Sequence, residues 1–217
     1  MTRDRIASTA ASLMSLAAAA LSLFVVPLLE DANLALQILA LLLSWVGFFA
    51  VFLATTHILA RIRYRKLLGR WYYVTHPHPD SPHQDGNYAI MNFRMNRDYD
   101  IEYGVHLYDS LEALRSPATA SMRGTASSNA LHYAREAGKV YVLFEVKYMA
   151  GDPSNIRREG RLSLEFNSGD TLEGDWTSEV YAMERSKPVR AVSSGRMSAF
   201  RTFEDLKKHE EYREANA

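Results

Sequence analysis

LLGRWYYVT, residues 67–75, is where this sequence changes its period. Upstream lies the longest apolar stretch of the chain. From Gly69 onward polar and apolar residues alternate, the period of half-buried strands. Within RWYYVT the alternation places Trp71 and Tyr73 on one face of a first strand, with Arg70 and Tyr72 on the other.

Working back from this point, residues 1–60 contain only Arg3, Asp4, Arg5, Glu30 and Asp31 as charged groups. Two uncharged apolar stretches, about 6–29 and 34–60, each exceed the roughly 20 residues that a helix needs to cross a hydrocarbon core. Neither has the polar face that a water-soluble helical pair requires. Glu30, Asp31, Ala32 and Asn33 leave room only for a tight turn, so residues 1–66 are expected to form a transmembrane helical hairpin with a basic juxtamembrane end. Arg3 and Arg5 flank the first span, and Arg61, Arg63, Arg65, Lys66 and Arg70 follow the second; positive flanks stay in the cytoplasm. The first span read instead as a cleaved signal peptide lacks a small-x-small site near Leu29, and either topology leaves the C-terminal part cytoplasmic. Ala7, Ala11, Ser15 and Ala19 recur every fourth residue, a small-residue stripe suited to self-association or to packing against the second span.

Working forward, strands are expected at 70–75, 86–95, 99–108, 120–126, 139–149, 160–167, 171–180 and 189–200, with turn residues between them. About eight short antiparallel strands suggest a small closed barrel over 67–202, and closure removes exposed edges. Helical patches are expected at 109–115 and 128–137, and 203–217 reads as a polar terminal helix opened by Thr202 with Asp205 three residues on. The fold class is thus a membrane-anchored all-β protein: a two-helix hairpin followed by an eight-stranded antiparallel barrel.

The 217 residues carry 25 basic and 25 acidic side chains and no Cys. From Trp71 onward 22 acidic groups face 18 basic ones, so the barrel lacks the positive field that a nucleic acid polymer requires. A small anion needs only a few Arg side chains in a pocket and aromatics to stack on bases. Arg94, Arg97, Arg123, Arg161, Arg190 and Arg196 lie on or beside strands; each alone reads first as an outward, solvated position. Trp71 and Trp176 read first as core, with ligand contact as the second reading. Candidate ligand-binding residues are therefore Trp71, Tyr73, Arg94, Tyr103, Arg123, Tyr141, Trp176 and Arg196.

His76, His78, Asp80 and His83 offer ligands for zinc, nickel or copper, but Pro77, Pro79 and Pro82 make this stretch an irregular loop. It reads as solvated, and no metal or cofactor is expected. Phosphate-loop, nucleophile-elbow and metalloprotease motifs are absent from the sequence, and the carboxylates Glu173 and Asp175 share a strand face as solvated strands often do, so catalysis is disfavoured.

Two N-terminal spans around an acidic turn, a basic juxtamembrane segment and an LxGxW-like opening (Leu67-Leu68-Gly69-Arg70-Trp71-Tyr72) into about eight strands resemble the two-transmembrane, β-strand-rich effectors of bacterial CBASS antiphage systems. The resemblance is one of layout over nearly the whole chain. It implies an inner-membrane protein with N-terminus and barrel in the cytoplasm. The barrel would sense a cyclic dinucleotide, form a homo-oligomer on activation and disrupt the lipid bilayer. The competing expectation is a constitutive, lipocalin-like carrier or scaffold for an apolar ligand, with Met91, Phe93, Val142, Phe144, Leu164 and Phe166 lining the interior and no converging arginines. The effector reading expects at least two Arg side chains to meet in an aromatic pocket or at a barrel interface.

Overall fold

A computed structural model describes Ser12, Ser15 and residues 34–82, 86–117, 120, 122–149, 158–168, 170–184 and 187–216. The chain divides into two compact units, Met1–Arg65 and Lys66–Ala217.

In the first unit, helix α1 spans Leu34–Tyr64, and its segment Ile38–Tyr64 is long and apolar enough to cross a membrane by length and composition. Its large apolar side chains, Leu42, Trp45, Val46 and Phe49 among them, are exposed. Two of its hydroxyls bond back within the helix: Ser44 donates to the Ala40 carbonyl and Thr56 to that of Phe52. Arg61 and Arg63 close its last turn, where cations complement the helix dipole. Of the first expected span, Ser12 and Ser15 are helical and Ser15 Oγ donates to Ser12 O. Ala7, Ala11, Ala19, the rest of 6–29 and the turn at 30–33 lie outside the described residues.

The second unit is a closed antiparallel barrel of eight strands in sequence order. These are β1 (Gly69–Pro77), β2 (Tyr88–Met95), β3 (Ile101–Tyr108), β4 (Gly124–Ala134), β5 (Lys139–Tyr148), β6 (Arg158–Ser168), β7 (Thr171–Glu184) and β8 (Lys187–Phe200). Closure runs from Tyr72 opposite Phe200 to Pro77 opposite Gly195. Strict alternation sends Trp71, Tyr73 and Thr75 of β1, Ala89, Met91 and Phe93 of β2, and Val140 and Val142 of β5 inward, all buried. Two glycines permit close approach of neighbouring strands. A Cβ on Gly174 would lie 1.8 Å from Ser163 O, and one on Gly195 would lie 2.2 Å from His76 O.

One side of the outer wall carries an apolar patch that helices cover. Val74, Ile90, Tyr108 and Phe200 face outward from β1, β2, β3 and β8, and form a second core with Leu114 and Leu206. Those two side chains belong to helices α2 (Leu111–Arg115) and α3 (Phe203–Ala215), which cover the patch. Ser110 caps α2 by accepting from Ala113 N, and Thr202 caps α3 by accepting from Asp205 N, as its sequence pattern foretold. The terminal helix is polar in composition but does not expose every face: Leu206 and Glu210 are buried.

One expected element differs. The patch 128–137 is not helical; β4 continues through it to Ala134, and a turn follows. A register shift between Ser128 and Ala130 inserts an extra residue into the strand. That bulge breaks the two-residue alternation between inward Ala126 and inward Leu131 and Tyr133, which is why the period is lost in sequence.

Candidate ligand-binding site

The barrel interior is graded from one end to the other. At the end where β1 begins it is sealed. Trp71 is fully buried, donates from Nε1 to Leu67 O at 2.9 Å, and packs on Phe166 with ring centroids 6.0 Å apart. Over its ring, 3.8 Å from the centroid, lies the Arg201 guanidinium. Arg201 donates to the carbonyls of Leu68 (2.8 Å) and Lys66. Burial lowers the Arg201 pKa, and Asp170 opposes that shift. Phe93 packs against Tyr103 at 5.5 Å, completing a packed floor.

Beyond the floor the lumen holds a cavity of about 80 Å³. Tyr73, Tyr103, Phe144, Tyr148 and Trp176 supply its aromatic walls, and Thr75, Asn87, Ser178 and Ser193 its polar ones. Burial pushes the Tyr73 phenol well above its usual pKa, with contributions from Tyr103 and Tyr148. The Tyr103 phenol is raised by burial as well, slightly offset by its hydrogen bond to Tyr73. Both are therefore neutral hydroxyls at physiological pH. Trp176 Nε1 is buried and has no hydrogen-bond partner among the described residues.

Arg123, in the segment before β4, sits at the rim. Its guanidinium lies 5.6 Å from the Tyr148 ring centroid, donates from Nη1 to Asn87 Oδ1 at 3.4 Å, and approaches Asp109 at 3.6 Å. Ser81 and Ser193 hydroxyls meet at 2.5 Å where the segment after β1 folds over β8.

Of the eight residues singled out by sequence, the fold brings Tyr73, Tyr103 and Trp176 to the cavity and Arg123 to its rim. Trp71 is part of the sealed floor. Arg94, Tyr141 and Arg196 are exposed and alternate with inward Phe93, Val142 and Met197, so they stand on the outer wall. Tyr141 stacks on His132 there and lines a shallow outer groove with Leu143, Arg161 and Asp175; Arg196 lies directly across the β7–β8 ladder from Asp175. Thr75, Phe144, Tyr148, Ser178 and Ser193 were not singled out, although strand alternation from Tyr73 and Trp176 reaches Thr75 and Ser178. Nothing local marks Arg201 or Asn87.

His76 also departs from its expected setting. It ends on the outer face of β1 against α3, 3.2 Å from Glu210, rather than in a loop with His78 and Asp80; His83 lies outside the described residues. Burial alone would raise the Glu210 pKa, but His76, Tyr88 and Arg213 outweigh it and hold the carboxyl at about 2. Burial and the neighbouring Glu210 push the Tyr88 phenol up to about 12.

No protein-family model matches this sequence, and no curated protein does. One solved structure, EF1p2_mFAP2b bound to DFHBI, is similar over 66% of this chain and 98% of its own, at 11% identity and a TM-score of 0.38. That degree of likeness carries no argument about fold or function.

Proposed function

We propose that the chain is a membrane-anchored receptor whose barrel takes the planar, hydrogen-bonding part of a small ligand into its lumen. Read with the layout resemblance, the ligand is a cyclic dinucleotide and the protein an antiphage effector of the inner membrane. A base would stack among Tyr73, Tyr103, Tyr148 and Trp176, and a phosphate would meet Arg123 at the rim. The observation that carries this reading is the Trp176 indole N–H, buried in an aromatic wall without an acceptor among the described residues. A buried donor left unmade is costly, and a ligand acceptor relieves that cost. The length and polarity of α1, with the basic run from Arg61 to Arg70, support anchoring with the barrel on the cytoplasmic side. Ligand binding that favours an assembled form would then gather the helical segments in the bilayer and disrupt it.

The carrier reading keeps one specific observation in its favour: among the described residues a single guanidinium, that of Arg123, reaches the cavity rim, while Arg94 and Arg196 stand on the outer wall. Calorimetry of the full chain in detergent decides between them. Saturable binding from a cyclic-dinucleotide panel, weakened by Arg123→Ala, supports the receptor. Binding only of uncharged apolar ligands, indifferent to Arg123→Ala, overturns it in favour of the carrier.

A further inference from the structure

His76 projects from the outer face of β1, and His209 and Glu210 are consecutive residues of α3 packed against that face. One ligand atom from each lies within 4.8 Å of the others. We propose that His76, His209 and Glu210 form a site for a divalent transition metal, zinc above all, that staples the terminal helix to the barrel wall.

The distances fit a shared ion. His76 Nε2 and Glu210 Oε1 are 3.2 Å apart, and two ligands each about 2.0–2.1 Å from a tetrahedral zinc stand roughly 3.3 Å apart. Both atoms are buried, and neither makes a hydrogen bond of good geometry among the described residues. The other carboxylate oxygen, Oε2, is engaged: Tyr88 donates to it at 3.0 Å and Arg213 approaches at 3.4 Å. Those outer partners fix the carboxylate so that Oε1 alone faces the imidazoles, the arrangement that orients a monodentate metal ligand. Two imidazoles and one carboxylate form a donor set suited to zinc, with copper and nickel as competitors by intrinsic affinity. The site lies on the outer wall, separate from the lumen, so its fate is independent of the ligand proposed above.

The test uses full-length protein in detergent, stripped with a chelator and titrated with zinc chloride, with cobalt(II) absorption as a second readout. Expected are one equivalent of zinc bound, a tetrahedral cobalt spectrum, and a Tm raised by about 5–10 °C at free zinc a hundredfold above Kd. Tyr88→Phe should weaken zinc about 10–100-fold while leaving all three ligands in place. His76→Ala and His209→Ala should each abolish the cobalt spectrum, and His78→Ala should leave it unchanged. Absence of stoichiometric binding by the unmutated protein means a plain His76–Glu210 ion pair and overturns the proposal. Binding indifferent to Tyr88→Phe and to the His76 and His209 substitutions, or lost with His78→Ala, overturns it too. Should an alanine variant fail to fold, the unmutated protein and Tyr88→Phe decide alone.

Discussion

Substituting Phe for Trp at positions 176 and 71 should move stability in opposite directions, although both side chains point into the same barrel. At Trp176 the change deletes an indole N–H that has no acceptor among the described residues, relieving a desolvation cost of about 1–3 kcal/mol. The lost volume, roughly 40 Å³ at about 24 cal/mol per Å³, costs about 1 kcal/mol. The sum lies between no change and about 2 kcal/mol of added stability, or up to about 8 °C in Tm at roughly 2–4 °C per kcal/mol for a chain of this size. At Trp71 the same volume is lost, but the Leu67 carbonyl 2.9 Å away loses its donor, about 1–3 kcal/mol, and the Arg201 guanidinium loses its best aromatic face, about 0.5–2 kcal/mol. That variant should be about 2.5–6 kcal/mol less stable. Thermal and denaturant melts of both variants in one detergent measure the contrast. Trp176→Phe should also weaken the lumen ligand about fivefold by calorimetry, since one hydrogen bond of about 1 kcal/mol is gone. Equal destabilisation at the two positions would refute the reasoning, because the Trp176 donor would then be satisfied in the free protein.

Other outcomes follow from the same interior. Tyr73 and Tyr103 hold their protons more tightly folded than unfolded, so their contribution is complete below pH 10 and lost as pH rises beyond it. Melts above pH 10 should show stability falling by up to about 1.4 kcal/mol per pH unit for each phenol, with a shallower slope in Tyr73→Phe. Gly174→Ala, whose Cβ meets Ser163 O at 1.8 Å, should cost about 1–3 kcal/mol or more, whereas Gly104→Ala, with nothing within 4 Å, should fall within about 1 kcal/mol of the parent in the same melts. Alkaline phosphatase fused after Ala217 should be inactive in bacteria and active when inserted at 30–33; activity after Ala217 removes the cytoplasmic barrel from the proposed function.

The barrel was largely legible because alternation is a local property. Seven of the eight strands show a period of two along most of their length, and the parity of RWYYVT puts Trp71 and Tyr73 on one face, the face that the fold turns inward. The same parity puts Arg94 and Arg196 outward, beside inward Phe93 and Gly195, the solvated position that each Arg alone reads as first. Where one residue disturbs the period, as at the β4 bulge, the strand loses its alternation and the sequence reads as a helix. What alternation cannot carry is contact between distant elements. Arg201 closes over Trp71 and α3 brings His209 and Glu210 to His76 only because β8 returns to pair with β1, a closure that no local pattern encodes.

The size of the cavity sets how a base-sized ligand would have to enter. About 80 Å³ is roughly half the dry cavity of about 150 Å³ that accommodates a benzene ring, so a wall must move before a base can stack. The floor cannot yield cheaply, because Trp71 and Arg201 are locked to backbone carbonyls. The opposite wall has a softer member, Phe144, which is half-buried and whose ring tip occupies the space a Cβ on Gly160 would need, 2.5 Å away. Phe144→Leu enlarges the lumen in advance at a cost of about 1 kcal/mol in stability. It thereby removes part of the opening penalty that reduces apparent affinity when the competent state is a minority. Calorimetry should show the base-bearing ligand bound several-fold more tightly by Phe144→Leu than by the parent. Unchanged or weaker binding, in a variant whose melt confirms folding, would mean that the ligand does not enter the lumen and that the site lies outside the barrel wall.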